Sequence, residues 1–266
     1  MKAKLYVILG SHACRTAMLM LEHKGIDYER VELPTGMHPF LLPLRGFGSN
    51  PESFRQVDDD RPHRMLGMLD RLGTVPSLQI DGQRIKTNRA IARFLEELRP
   101  EPPLFPADQE HRQAVEQAER WGDEVFQMTA RRLLLAARLQ GRDSLINRGD
   151  DGRLGPLLFR SQRTRLAATL GIARIFGADG AALNELPRAL PAMLDRVDGW
   201  IESGVLGGDQ LNAADFMIAT SWALLTYRRD LRPELEGRPA MRLVDRLLPE
   251  PGLMPGSAPS ARLSTR

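Results

Sequence analysis

An α/β unit followed by an all-helical unit is the fold class this sequence predicts, and three observations predict it. Apolar runs and periodicities over residues 1–98 fall in the order strand–helix–strand, then strand–strand–helix. A proline-rich stretch follows at Arg99–Gln109. Beyond it every apolar pattern has the helical period. Strands alternating with helices build a sheet with helices laid on it, whereas a run of helices needs a core of its own.

Lys4–Leu9 reads as a buried strand. Cys14, Ala17, Met18 and Leu21 then repeat at i, i+3, i+4 and i+7, the template of an amphipathic helix. Gly25 is placed to end it in a left-handed cap. Tyr28–Leu33 alternates as a second strand, and strands joined through a helix run parallel. Pro34–Gly73 is rich in Pro and Gly and has no sustained period; it reads as an insertion carrying short helices or a surface lobe. Met65, Met68, Leu69 and Leu72 recover helical spacing at its end. Then come "SLQI", the Asp81-Gly82 turn and "RIK", a hairpin signal. Ile91, Phe94, Leu95 and Leu98 fit a helix stopped by Pro100. These elements make a mixed four-stranded sheet with two sequence-evident helices.

The domain reading is therefore 1–98, a linker at 99–108, a helical unit at 109–248 and a disordered tail at 249–266. Gln109–Leu139 reads as one long helix or a kinked pair, and Gly141–Gly155 as a polar loop. Further helices are expected over Leu157–Phe176, Arg188–Glu202, Leu211–Arg228 and Ala240–Leu248. "NAADF" opens the third of these. There Asn212 accepts from the amide of Asp215 while the Asp215 carboxylate reaches back to the amide of Asn212, a capping box with a short acid.

Composition narrows the function classes. A chain of 266 residues that is 42% hydrophobic and 27% charged has the balance of a soluble globular protein. "FMIATSWALLTY" is far short of a membrane span, and "MKAKLYVILG" is too short and too soon interrupted for a secretory signal. A single cysteine excludes an internal disulfide and offers no metal-ligand cluster, so no metal is expected and the cytoplasm is the default compartment. The net charge of +3 comes from 37 basic and 34 acidic residues interspersed along helices, with only 6% aromatics. That argues against a nucleic-acid partner.

"GSHACRT" places Ser11, His12 and Cys14 directly after the first strand. From spacing alone Ser11 is the N-cap of the helix, and Cys14 falls on that helix's apolar face as a core thiol.

Four stretches resemble the glutathione transferase superfamily, whose members join a thioredoxin-like βαβ-ββα domain to a helical bundle. "LYVILGSHACRTAMLMLEHKGIDYERVEL" looks like its first unit, especially in the serine-type members. "GTVPSLQIDGQRIKTNRAIARFLEEL" looks like the second half of that domain. "AERWGDEV" and "GDQLNAADFMIATSWALL" resemble the start and the buried helix of the helical domain.

The resemblance implies a cytoplasmic, homodimeric transferase with glutathione, or another small thiol, as co-substrate and an electrophile as second substrate. It makes Ser11 the active-site serine, favouring a catalytic role over a cap alone. It implies a cis bond before Pro76 and a ligand paired with the backbone of Val75. Thr87 and Asn88 stand where relatives grip the γ-glutamyl group, and Thr87 departs from the acidic or amide residue found there. His12 sits where many relatives have proline, as an anion donor or, preferably, a solvated loop histidine. Arg15 and Arg89 are candidates for a ligand carboxylate or ordinary surface charges. Trp121 is a candidate for the wall of the electrophile pocket, with a core role preferred. Two other readings stay open: a non-catalytic binding or scaffold module on the same fold, and a thiol-dependent reductase using Cys14.

Overall fold

The computed structural model describes residues 1–48, 73–140 and 180–249, with the single positions Leu145, Arg153, Leu154, Ala173, Phe176 and Ala178. The remainder of the insertion, most of the polar loop and of the helix expected over Leu157–Phe176, and the tail from 250 on lie outside the described residues.

β1 (Ala3–Val7) alternates its side chains between two cores. Ala3, Leu5 and Val7 join the main core, while Tyr6 faces a smaller one with Leu33, Leu42 and Phe47. α1 (His12–His23) ends at Gly25, where the amide of Gly25 donates to Glu22 and that of Ile26 to Leu21, the paired bonds of a Schellman cap. β2 (Glu29–Glu32) runs parallel to β1. α2 (His38–Leu44) opens the insertion and lays Leu42 and Phe47 against Tyr6, so this part of it is packed onto the sheet.

β3 (Ser77–Ile80) and β4 (Gln83–Lys86) meet at Asp81-Gly82, both residues at positive φ as a tight hairpin turn requires. The strand order is β2-β1-β3-β4, with β3 antiparallel to both neighbours. α3 (Asn88–Leu98) covers the face shared with α1 through Ile91, Ala92 and Leu95.

The linker is tightly held. Leu104 and Phe105 are buried in the main core, and the amide of Ala213 donates to the carbonyl of Leu104. α4 (Gln109–Trp121) and α5 (Gln127–Gln140) form one rod joined by a π turn at Gly122–Phe126. A Cβ on Gly122 would lie 3.0 Å from Met217 and 3.2 Å from Ile218, so this position lets the rod approach α7 closely. α6 (Gly180–Glu202) starts earlier than the sequence suggests and carries Pro187 and Pro191 inside it.

α7 (Ala213–Leu225) is buried at every residue. Its capping box is present: Asn212 Oδ1 accepts from Ala214 and Asp215, and Asp215 Oδ2 accepts from the amide of Asn212 at 2.8 Å. Asp215 Oδ1 also accepts from the amide of Gly207 at 2.7 Å. α8 (Arg232–Glu236) and α9 (Ala240–Leu247) complete the described helices. α7 also packs on α1, where the hydroxyls of Thr16 and Thr220 meet at 2.7 Å. No helix among the described residues is long and apolar enough to cross a membrane.

Candidate functional site

Sheet register brings the expected site residues to one edge. Tyr6 pairs with Ser77, and Ser77 with Lys86. The chain leaving β1 toward Ser11, the chain entering β3 through Val75-Pro76, and the chain leaving β4 into Thr87-Asn88 therefore emerge at the same end. α2 closes that end from one side, with Leu42 and the carbonyl of His38 against Gly73.

Ser11 is the N-cap of α1, in extended backbone, and its hydroxyl accepts from the amide of Cys14 at 3.3 Å. A serine hydroxyl holds two acceptor lone pairs and one donor proton, so this bond leaves the proton available. Cys14 is 1% exposed, and burial pushes its thiol up. Arg15 runs along α1 to Glu22 at 2.9 Å, a surface pair.

His12 corrects the sequence reading. It is no solvated loop residue but the first residue of α1, 3% exposed, with Nε2 3.3 Å from the carbonyl of Gln127. The helix begins immediately after Ser11, which turns residue 12 away from solvent and onto α5. Burial, reinforced by the charge of Arg131, holds the imidazole well below its usual range, so it is neutral.

The Val75–Pro76 bond is cis. The backbone of Val75 has no hydrogen-bond partner among the described residues, which leaves it open to an extended ligand. The carbonyl of Pro76 instead accepts from the amide of Thr87. Thr87 sits at φ 71°, a conformation costly for a β-branched residue. Its hydroxyl caps α3 by accepting from Ala90 at 3.3 Å. Asn88 is buried, and its Oδ1 has no partner among the described residues. An orphaned buried amide oxygen beside a helix N-terminus marks a place where a polar ligand group would be satisfied.

The helical domain supplies the opposite wall. Glu119 takes a bidentate pair from Arg93 at 2.7 Å, and Arg89 bridges to Glu124 at 3.2 Å, so Arg89 ties the two domains together. Asp123, in the π turn, stands among these groups. Burial and the Glu119 carboxylate push its carboxyl up to about 7 against the pull of Arg89. Arg131 donates to Gln127 Oε1 at 3.3 Å and stacks over Phe176 at 4.7 Å. Its charge reaches His12, Cys14, His38 and Asp123.

The sequence reading missed Gln127 and Arg131, although their i, i+4 spacing on the long helix puts them on one face. Trp121 stays within the helical domain. It stacks on Phe126 at 5.2 Å, meets Trp200 edge-on at 5.2 Å and lies under Arg196. It is half-buried there, packed against the main core between α4 and α6. No group of three or more His, Cys, Asp and Glu side chains among the described residues is arranged to hold a metal.

Residues 10–98 match the family model of the glutathione S-transferase N-terminal domain. Maleylacetoacetate isomerase of Rattus norvegicus is 33% identical over 114 residues, which is 43% of this chain and 44% of that protein; the chain thus aligns with under half the length of this curated relative. Among solved structures, a glutathione transferase of Phanerochaete chrysosporium superposes with TM-score 0.62 at 15% identity, covering 93% of this chain and 96% of that one. A glutathione S-transferase of Ceriporiopsis subvermispora, solved in complex with glutathione, gives TM-score 0.57 at 17% identity over 93% and 98%. At these identities the likeness is one of fold.

Proposed function

For a chain whose N-terminal domain and fold are those of the glutathione transferase superfamily, we propose a small-thiol transferase, with glutathione as the thiol. The thiol lies across the end of the sheet, its backbone against Val75 and its charged end at the start of α3. Its sulfur lies at Ser11.

The observation that carries this reading is the state of the Ser11 hydroxyl. Its oxygen accepts from the Cys14 amide, and its one proton remains for donation, to the Cys14 thiol at rest or to a bound sulfur. A thiol ionises near ~8.5 in water, and a hydroxyl donor at a helix N-terminus lowers that value. The thiol proton passes to solvent, the sulfur keeps its electron pair, and that pair forms the new bond to the electrophile while the leaving group, chloride for a chloronitrobenzene, departs with the pair of the bond that breaks. Ser11 retains its own proton and acts as a donor throughout. A cytoplasmic homodimer completes the proposal by the same resemblance.

The second reading, a binding module without turnover, is favoured by Thr87, whose side chain is occupied as a cap and offers no carboxylate or amide. The reductase reading fares worse, because Cys14 is enclosed and its thiol is held protonated. A calorimetric titration with glutathione, followed by turnover with a chloronitrobenzene, separates the readings. Binding with turnover supports the transferase, binding alone supports the module, and neither removes the thiol from the account.

A further inference from the structure

Resting on the role given to Ser11 above, we propose that His12 is its positioning residue, the side chain by which the helical domain fixes the first turn of α1 and with it the direction of the Ser11 hydroxyl.

Ser11 is set by the helix it caps. Its Oγ accepts from the Cys14 amide at 3.3 Å and its carbonyl from the Arg15 amide at 3.0 Å. The first turn of that helix carries no acidic residue to favour its N-terminus. What steadies it beyond the cap is contact with the helical domain.

Two hydrogen bonds make that contact. His12 holds Nε2 3.3 Å from the backbone carbonyl of Gln127, the first residue of α5. A carbonyl only accepts, so the proton sits on Nε2. One turn further on, the Thr16 hydroxyl lies 2.7 Å from that of Thr220 on α7 and 3.2 Å from the carbonyl of His12 itself. His12, Thr16 and Thr220 are all buried, so water does not compete for these bonds. The acceptor is held as well: the side-chain amide of Gln127 donates to Met217 Sδ on α7 at 3.4 Å.

His12 is joined to Ser11 by one peptide bond. Anchoring residue 12 therefore restrains the turn whose amides fix the Ser11 oxygen. Without the anchor that turn frays, and the hydroxyl proton loses its aim at the sulfur. The parts of the site at Val75 and at the start of α3 stand on other elements and keep their hold on the thiol. Burial keeps the imidazole neutral, so a neutral amide of the right reach can stand in for it.

The test is steady-state turnover with glutathione and a chloronitrobenzene, beside thermal melts, in wild type, His12→Leu, His12→Asn and His12→Gln. Glutamine carries its amide nitrogen as many bonds from Cα as histidine carries Nε2; asparagine stops one bond short, and leucine has no donor. Well below their melts, His12→Leu and His12→Asn should lose on the order of tenfold in kcat with KM for glutathione nearly unchanged. His12→Gln should recover most of that loss. His12→Asn takes the place of His12→Leu should the apolar variant not fold. A role in packing alone would lower the melts and leave kcat of the folded protein at the wild-type value, and that result overturns the role of His12. So does a His12→Gln as slow as the other two, or a set in which no variant folds. A wild type that does not turn glutathione over overturns the functional reading with it.

Discussion

Lys24 places its ammonium 2.6 Å from the Glu96 carboxylate, across 72 residues of chain, with its side chain fully buried. The same ammonium donates to the carbonyls of Arg99 and Pro100, and Glu96 accepts from the amides of Leu104 and Phe105. One ion pair thus pins the end of α1, the end of α3 and the linker. Lys24→Ala orphans two carbonyls and removes the counter-charge of Glu96. A loss of about 2–4 kcal/mol is expected. Urea denaturation measures it, and an unchanged midpoint would show that the linker is held by its apolar residues alone.

Ser11→Ala removes the donor to the sulfur and the cap of α1 together. Turnover should fall on the order of 100-fold, with a smaller change in glutathione affinity, because the bond strengthens on the thiolate. The lost cap should cost about 1 kcal/mol. Steady-state kinetics with glutathione and a chloronitrobenzene, beside a thermal melt, reads both. Wild-type turnover in the variant would leave Ser11 a cap and nothing more.

Asp123 gives stability a pH dependence of definite sign. Its folded value of about 7 lies above the ordinary carboxylate range. As pH rises through that window the unfolded chain loses its proton first, so the folded state binds more protons and stability falls. The contribution is intact below about pH 4 and fully lost above about pH 7. Asp123→Asn should therefore raise the melting temperature at neutral pH by a few degrees and leave it nearly unchanged in acid. Asp215, pushed up to about 6 mainly by burial, slopes the same way in both proteins and cancels in the difference. A variant less stable than wild type at neutral pH would mean that the Asp123 carboxylate is needed charged.

Asp215→Ala strips the partner from two amides, Asn212 and Gly207, at the enclosed start of α7. The expected loss is roughly 1–3 kcal/mol, with thiol affinity of the folded protein unchanged. Chemical denaturation and a binding titration on the same sample separate these effects. Abolished activity with an unaltered melt would place Asp215 in the chemistry instead.

Much of the fold was legible because its signals are local. The alternation in β1, the Asp81-Gly82 turn, the Gly25 cap and the Asn212/Asp215 box each lie within a few residues. The edge that gathers Ser11, Val75 and Thr87 follows from strand order, which the two sheet units imply. What the sequence hid depends on contacts between distant segments. His12 looks solvated until α5 is packed against it, and Gln127 and Arg131 look like ordinary helix residues until α1 is placed opposite. The π turn leaves no mark in "RWGDEVF" beyond a glycine, the residue that Met217 and Ile218 of another helix approach closely.

The burial of α7 on every side has a consequence for how the chain holds together. Its residues are shared between α1 on one flank and α4, α5 and α9 on the others. Neither half of the chain owns the apolar surface that hides it, so separating the halves would leave a greasy rod facing water. The two sequence domains are therefore expected to melt as a single cooperative unit, in one calorimetric transition. The helical half lines the first domain, and the start of α1 that carries Ser11 keeps its packing only while both are folded.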